Sequence, residues 1–249
     1  MPHQELVIDG RPVPSVTEII SVLDKPFLRG WYAKEELQRC IDELAMPRPD
    51  KQAQSFEKEL LVAWRRRVRQ KDYAAIAKAE RAKEWGISFH TAVYNILRHE
   101  PYSVVIDIIP SIHSFLKLKE KWAFRPTKLE FSVRSEIYDF HGTGDYIGED
   151  NVMPGLGIGD WKTSNSIGAE NGLQIALYAY AFGEQEGWSV KETWEKITHG
   201  FIARFDKKTG LPETKLITDL PHLFRVAIAL RELYDFWRKV GIWEEKNGR

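Results

Sequence analysis

The sequence predicts an α/β fold of the α+β kind, a central mixed β-sheet flanked by helices with an N-terminal helical annex. Three observations carry this expectation. Helix-period segments fill the first half of the chain, and strand-like segments jointed by glycines run from 128 to 163. A strong helix, two more strands and an amphipathic closing helix complete the order. That order lacks the regular strand–helix alternation of a doubly wound sheet. At 249 residues the chain can bury one large core, or one core with an annex. The expected division is 1–84 for the hairpin and helical annex and 85–249 for the sheet-bearing core, the two forming one compact unit.

The elements follow from local chemistry. Residues 5–14 read as a short hairpin with Asp9-Gly10 at the turn. Ser15 and Glu18 form a capping box that opens a helix. A second helix covers 28–44. Met46-Pro47-Arg48-Pro49-Asp50 is a break, because prolines do not fit inside a helix. Residues 52–98 are helical, with an interruption expected at Trp85-Gly86-Ile87-Ser88-Phe89-His90, and 111–122 form one more helix. Strands are expected over 128–135, 137–148 and 155–163, then a helix over 169–186. Strands over 200–206 and 214–218 flank the Lys207-Lys208-Thr209-Gly210 turn, and a helix from Pro221 to Trp237 closes the chain.

Composition narrows the class. Lys+Arg and Asp+Glu are both 36, so a uniformly basic coat for duplex DNA is disfavoured, while a local basic groove is not. One cysteine, Cys40, rules out an intrachain disulfide and a four-cysteine zinc or iron–sulfur site. This fits a reducing, cytoplasmic or other intracellular setting. No signal peptide or membrane-length apolar run is visible, so no membrane partner is expected.

Three short stretches read as one site: Gly142-Thr143-Gly144-Asp145, Gly159-Asp160-Trp161-Lys162-Thr163 and Gln174-Ile175-Ala176-Leu177-Tyr178. Carboxylates on neighbouring strands can share a hard cation, and Mg²⁺ takes one or two carboxylates plus water and phosphate. Strand residues two apart share a face, so Asp160 and Lys162 point one way and Trp161 the other. A divalent cation lowers the pKa of a bound water and stabilises charge on a phosphate. Lys162 can orient or deprotonate that water, or neutralise the transition state. Gln174 and Tyr178, four apart, share a helix face. Glu130 offers an outer-sphere carboxylate, and His90 an imidazole for Mn²⁺ or phosphate.

Gly-x-x-x-His from Gly86 to His90, Gly-Thr-Gly-Asp, Asp-x-Lys-Thr and Gln-x-x-x-Tyr, in that order, resemble the RecB-type branch of the PD-(D/E)xK nuclease superfamily. That branch includes CRISPR adaptation exonucleases and mitochondrial genome-maintenance exonucleases. The opening Pro14-Ser15-Val16-Thr17-Glu18-Ile19-Ile20, with Trp31 and Lys34, is similar to the N-terminal segment of some of them and of phage-encoded relatives. The resemblance implies a restriction-endonuclease-like core over 85–249. It implies Asp145, Asp160 and Lys162 as catalytic residues, and His90, Asp145, Asp160 and the Trp161 backbone carbonyl as ligands of Mg²⁺ or Mn²⁺. Gln174 and Tyr178 would contact DNA near the scissile phosphate, and Glu130 and Thr163 join that outer set. Many relatives also carry four cysteines for an iron–sulfur cluster; this chain cannot, so no cluster is expected. No Walker motif is present, so unwinding would need a separate helicase or recombination partner.

The implied activity is a metal-dependent deoxyribonuclease acting on single-stranded DNA or DNA ends. Two alternatives stand beside it: a noncatalytic DNA-binding or recombination partner on a nuclease fold, and a restriction-type endonuclease. Cellular and phage or viral origin both fit a small enzyme of this kind. Taken singly, each feature has a plainer reading. An Asp near a Lys is often a solvated pair, and a lone His often sits satisfied in a core. The run containing Arg65, Arg66, Arg67 and Arg69 is either a solvated helix face or a phosphate-tracking patch. Ser15 and Thr17 are cap and packing residues or DNA contacts.

Overall fold

A computed structural model describes residues 6–8, 11–23 and 74–239. The chain divides into two units, Met1–Leu23 with Ser88–Arg249 and Asp24–Ile87. The Asp9-Gly10 turn, the expected helix over 28–44, the break at 46–50, Trp31, Lys34 and the basic run with Arg65, Arg66, Arg67 and Arg69 lie outside the described residues.

Strand β1 (Leu6–Ile8) pairs antiparallel with β2 (Arg11–Val13). Helix α1 (Val16–Ile20) opens on the expected capping box. Glu18 N donates to Ser15 Oγ at 3.2 Å, and Ser15 N donates to Glu18 Oε2 at 2.8 Å. His141 N donates to the Pro14 carbonyl, fastening this start to the sheet.

Helix α2 (Ala74–Leu97) runs without a break through Gly86, so the expected interruption at 85–90 is absent. A mid-helix glycine costs only about 1 kcal/mol relative to alanine. The turns after it bury Phe89, Ala92, Val93 and Ile96, which sustains the helix. A 3₁₀ turn (Ile106–Ile108) leads into α3 (Ile109–Trp122), with Pro110 in its first turn.

The sheet holds β3 (Arg125–Ser135), β4 (Phe140–Glu149), β5 (Leu156–Lys162), β6 (Ile197–Phe205) and β7 (Pro212–Ile217), in that spatial order. Only β5 and β6 are parallel, so the sheet is mixed, as expected. Helices α4 (Ala169–Gln185) and α5 (Val190–Lys196) make the crossover that a parallel pair requires. Helix α6 (Leu220–Lys239) closes the described chain. Strand β4 starts at Phe140 rather than 137. Glu184 of α4 accepts from the amides of Glu136 and Ile137 and from Ser135 Oγ, which holds the preceding residues in a turn. Among the described residues no helix is long and apolar enough to cross a membrane.

The two sheet faces differ in filling. Ile147, Ile158 and Ile202 pack against α4 through Ile175, Ala176 and Ala179, in one cluster with Val16 and Ile19 of α1 and Phe224 of α6. The opposite face is aromatic. Trp161 lies 5.4 Å from Phe201 and 5.3 Å from Phe115, and Phe89 lies 4.9 Å from Phe205, all between ring centres. At the other end of β5 and β6, His199 Nε2 lies 3.0 Å from Asp150 Oδ2, both side chains fully buried.

Candidate active site

Side-chain alternation along β5 sends Asp160 and Lys162 to the α4 face and Trp161 into the aromatic layer, as the spacing predicts. The β4–β5 register pairs Tyr146 with Gly159, and one further step sets Asp145 opposite Asp160. Gly159 is needed there, because a Cβ at that position would overlap the Phe201 ring. Asp145 lies within β4 rather than at a strand end. Its Oδ2 accepts from the Trp161 amide at 2.7 Å, across the strand boundary. The resemblance assigned the Trp161 carbonyl a role; the contact seen here is made by its N–H.

The remaining donors come from α2 and β3. His90 Nδ1 lies 3.5 Å from Asp145 Oδ1 and 3.8 Å from Glu130 Oε1. One ligand atom from each of His90, Glu130 and Asp145 lies within 4.8 Å of the other two. Glu130, expected as an outer-sphere carboxylate, thus stands in one cluster with His90 and Asp145. Its backbone is left-handed (φ 45°) in mid-strand, and the ladder steps from Leu129–Tyr146 to Phe131–Gly144, passing over Glu130 and Asp145. A non-glycine residue there carries roughly 1–3 kcal/mol of strain. No sequence periodicity signals such a kink.

Asp160 stands beside this cluster rather than within it. Its Oδ2 makes a 2.7 Å ion pair with Lys162 Nζ, yet that buried oxygen has no aligned hydrogen bond. Lys162 Nζ also donates to Gln174 Oε1 at 3.2 Å, and Gln174 Nε2 donates to Tyr178 Oη at 2.8 Å. Tyr178 is only 4% exposed and Gln174 half-buried. They form a hydrogen-bonded relay from α4 to Lys162, so the shared helix face is turned toward the site. Gly142 makes room for the relay, since a Cβ there would strike the Tyr178 ring.

The electrostatics are those of crowded, buried acids. Burial lifts the Asp160 carboxyl, and the neighbouring Asp145 charge adds to this against Lys162, giving a pKa of about 6. Burial would also lift Asp145, but the His90 charge and hydrogen bond, Lys162 and the Trp161 amide hold it below the usual carboxylate range. For His90 burial acts downward, and Asp145, Glu130 and Asp160 together overcome it, raising the pKa to about 10. Lys162 is likewise raised despite burial, by Asp160 and Asp145. Three carboxylates thus face one lysine and one histidine. A mixed oxygen and imidazole donor set, with the Asp160 carboxylate beside it, fits Mg²⁺ or Mn²⁺.

Other expected site residues fall differently. Thr163 follows Lys162, half-buried, at the start of the loop into α4. Ser15 is buried with its hydroxyl engaged in the cap, and Thr17 is exposed on α1.

No family model matches this chain, and no curated protein matches it. Among solved structures, one described as "Crystal structure of SSO0001" aligns over 51% of this chain and 56% of its own, at 16% identity and a TM-score of 0.31. The chain spans little more than half the length of that protein.

Proposed function

We propose that the chain is a metal-dependent deoxyribonuclease that hydrolyses phosphodiesters in single-stranded DNA or at DNA ends. The observation that supports this most is the meeting of His90, Glu130 and Asp145 beside the Asp160–Lys162 pair. His90, Glu130 and Asp145 would hold Mg²⁺ or Mn²⁺, with Asp160 adjoining. Such a cation, when bound, supplies Lewis-acid polarisation of the phosphate and an acidified water. The chain's own residues do the rest. Lys162, aimed by Gln174 and Tyr178, places a positive charge where the phosphorane charge develops or holds the attacking water in line. Asp160 keeps Lys162 protonated and anchored. The Trp161 amide fixes the Asp145 carboxylate.

The test is cleavage of end-labelled single-stranded, double-stranded and circular DNA with Mg²⁺, with Mn²⁺ and with a chelator. Metal-dependent cleavage lost in both Asp160→Ala and Lys162→Ala supports the reading; no cleavage by the unmodified chain, or cleavage unchanged in both variants, removes it.

A further inference from the structure

The strand carrying Lys162 has a second basic position beside it. In the parallel β5–β6 ladder Lys162 pairs with Arg204, so both side chains leave the sheet on one face, with roots roughly 5 Å apart. Arg204 is 15% exposed and firmly held. Its Nε donates to Glu213 Oε2 at 2.7 Å, and an Nη donates to the Ser164 carbonyl at 3.3 Å. Ser164 lies in the polar loop between Lys162 and α4, where residues 164–166 are exposed. Asp206 Oδ2 is 3.8 Å from the guanidinium, beyond hydrogen-bond reach, while Asp206 Oδ1 accepts from Lys208 N, Thr209 N and Thr209 Oγ1. Glu213, its partner on the edge strand, is an exposed carboxylate, the kind whose ion pair contributes little. A guanidinium fork matches phosphate as well as carboxylate and stays charged at any working pH.

We infer that Arg204 binds the backbone phosphate next along the strand from the one presented to Lys162, with Glu213 as the placeholder that this phosphate displaces. The inference rests on the proposed nuclease reading and deepens it. It gives the bound strand a direction, from the His90–Glu130–Asp145 cluster across β5 and β6 toward β7. Lys215, paired with Ile202 on β7, stands further along the same course.

The test uses a fluorescein-labelled oligothymidine, with binding followed by anisotropy in Ca²⁺ between about 50 and 200 mM salt and cleavage followed in Mn²⁺. Arg204→Gln is expected to reduce the slope of log K against log[salt] by about 0.7. It should raise KM roughly tenfold with kcat nearly unchanged, the pattern of lost ground-state binding. Arg204→Lys should keep the slope, and Glu213→Gln should bind as tightly or more tightly. A single uncharged methylphosphonate at the adjacent linkage should weaken the unmodified chain and add nothing to Arg204→Gln. An unchanged slope and KM in Arg204→Gln, an equal methylphosphonate penalty in both proteins, or weaker binding by Glu213→Gln would overturn the inference while cleavage persists. Should Arg204→Gln not fold, the methylphosphonate and Glu213→Gln results on folded protein decide. An unmodified chain that neither binds nor cuts the oligonucleotide overturns the nuclease reading itself.

Discussion

Two histidine–aspartate pairs involve the same sheet, and their surroundings give them opposite characters. His199 and Asp150 meet at 3.0 Å with no side-chain exposure. Thr198 Oγ1 lies 3.1 Å from the other ring nitrogen, and Val152 N donates to the other carboxylate oxygen. His90 and Asp145 stand 3.5 Å apart, the imidazole is 29% exposed, two more carboxylates crowd it and the backbone at Glu130 is strained. The first pair is saturated and closed, as a structural clasp between the β4–β5 connection and β6 should be. The second gathers three carboxylates around one histidine and one lysine, and its imidazole is partly exposed. Saturation, not residue identity, separates the clasp from the candidate site.

The contrast can be broken most sharply by function. Lys162→Ala or Asp160→Ala should reduce cleavage of labelled single-stranded DNA, scored per folded molecule, by about a hundredfold to ten-thousandfold. His199→Ala should leave turnover per folded molecule intact. Next in size is metal affinity. By calorimetry, His90→Ala and Glu130→Gln should weaken Mn²⁺ binding by about tenfold to a hundredfold, while Asp150→Asn should leave it alone.

Stability sharpens the comparison from the other side. Asp150→Asn should cost about 1–3 kcal/mol, since it disturbs a buried, saturated acceptor. Burial would lift the Asp150 carboxyl, but His199 and the Val152 amide hold it below its ordinary value. A depressed folded pKa gives stabilisation that is complete above the unfolded value and is lost as pH falls through the folded one. The acid limb of denaturation below about pH 4 should therefore flatten in Asp150→Asn; an unchanged limb would take Asp150 out of that account. Smallest is Glu130→Gly, which should raise stability by about 1 kcal/mol through relief of the left-handed backbone while lowering Mn²⁺ affinity. Equal melting temperatures would show that the kink costs nothing.

Much of this arrangement was legible in the residues. The Asp160-Trp161-Lys162 alternation assigned faces correctly because strand periodicity is local. The Ser15–Glu18 box was readable for the same reason. The identical Ser-x-x-Glu signal at Ser189–Glu192 opens α5, which the sequence reading left unassigned. What escaped it was non-local. Parallel pairing of β5 with β6 depends on where α4 and α5 return the chain. The room that Tyr178 needs depends on Gly142 across the sheet. The left-handed kink at Glu130 is one that no propensity encodes. Gly86 misled in the other direction, because a punctuating residue was outweighed by the apolar face that follows it.

The restraint on Asp145 comes from the main chain of residue 161, not from any side chain. Every amino acid except proline carries that N–H. The indole could be exchanged for another large apolar group, at a cost in packing, and the carboxylate would still be gripped. An engineer wishing to loosen Asp145 from that position has one substitution, Trp161→Pro, which removes the N–H that grips it.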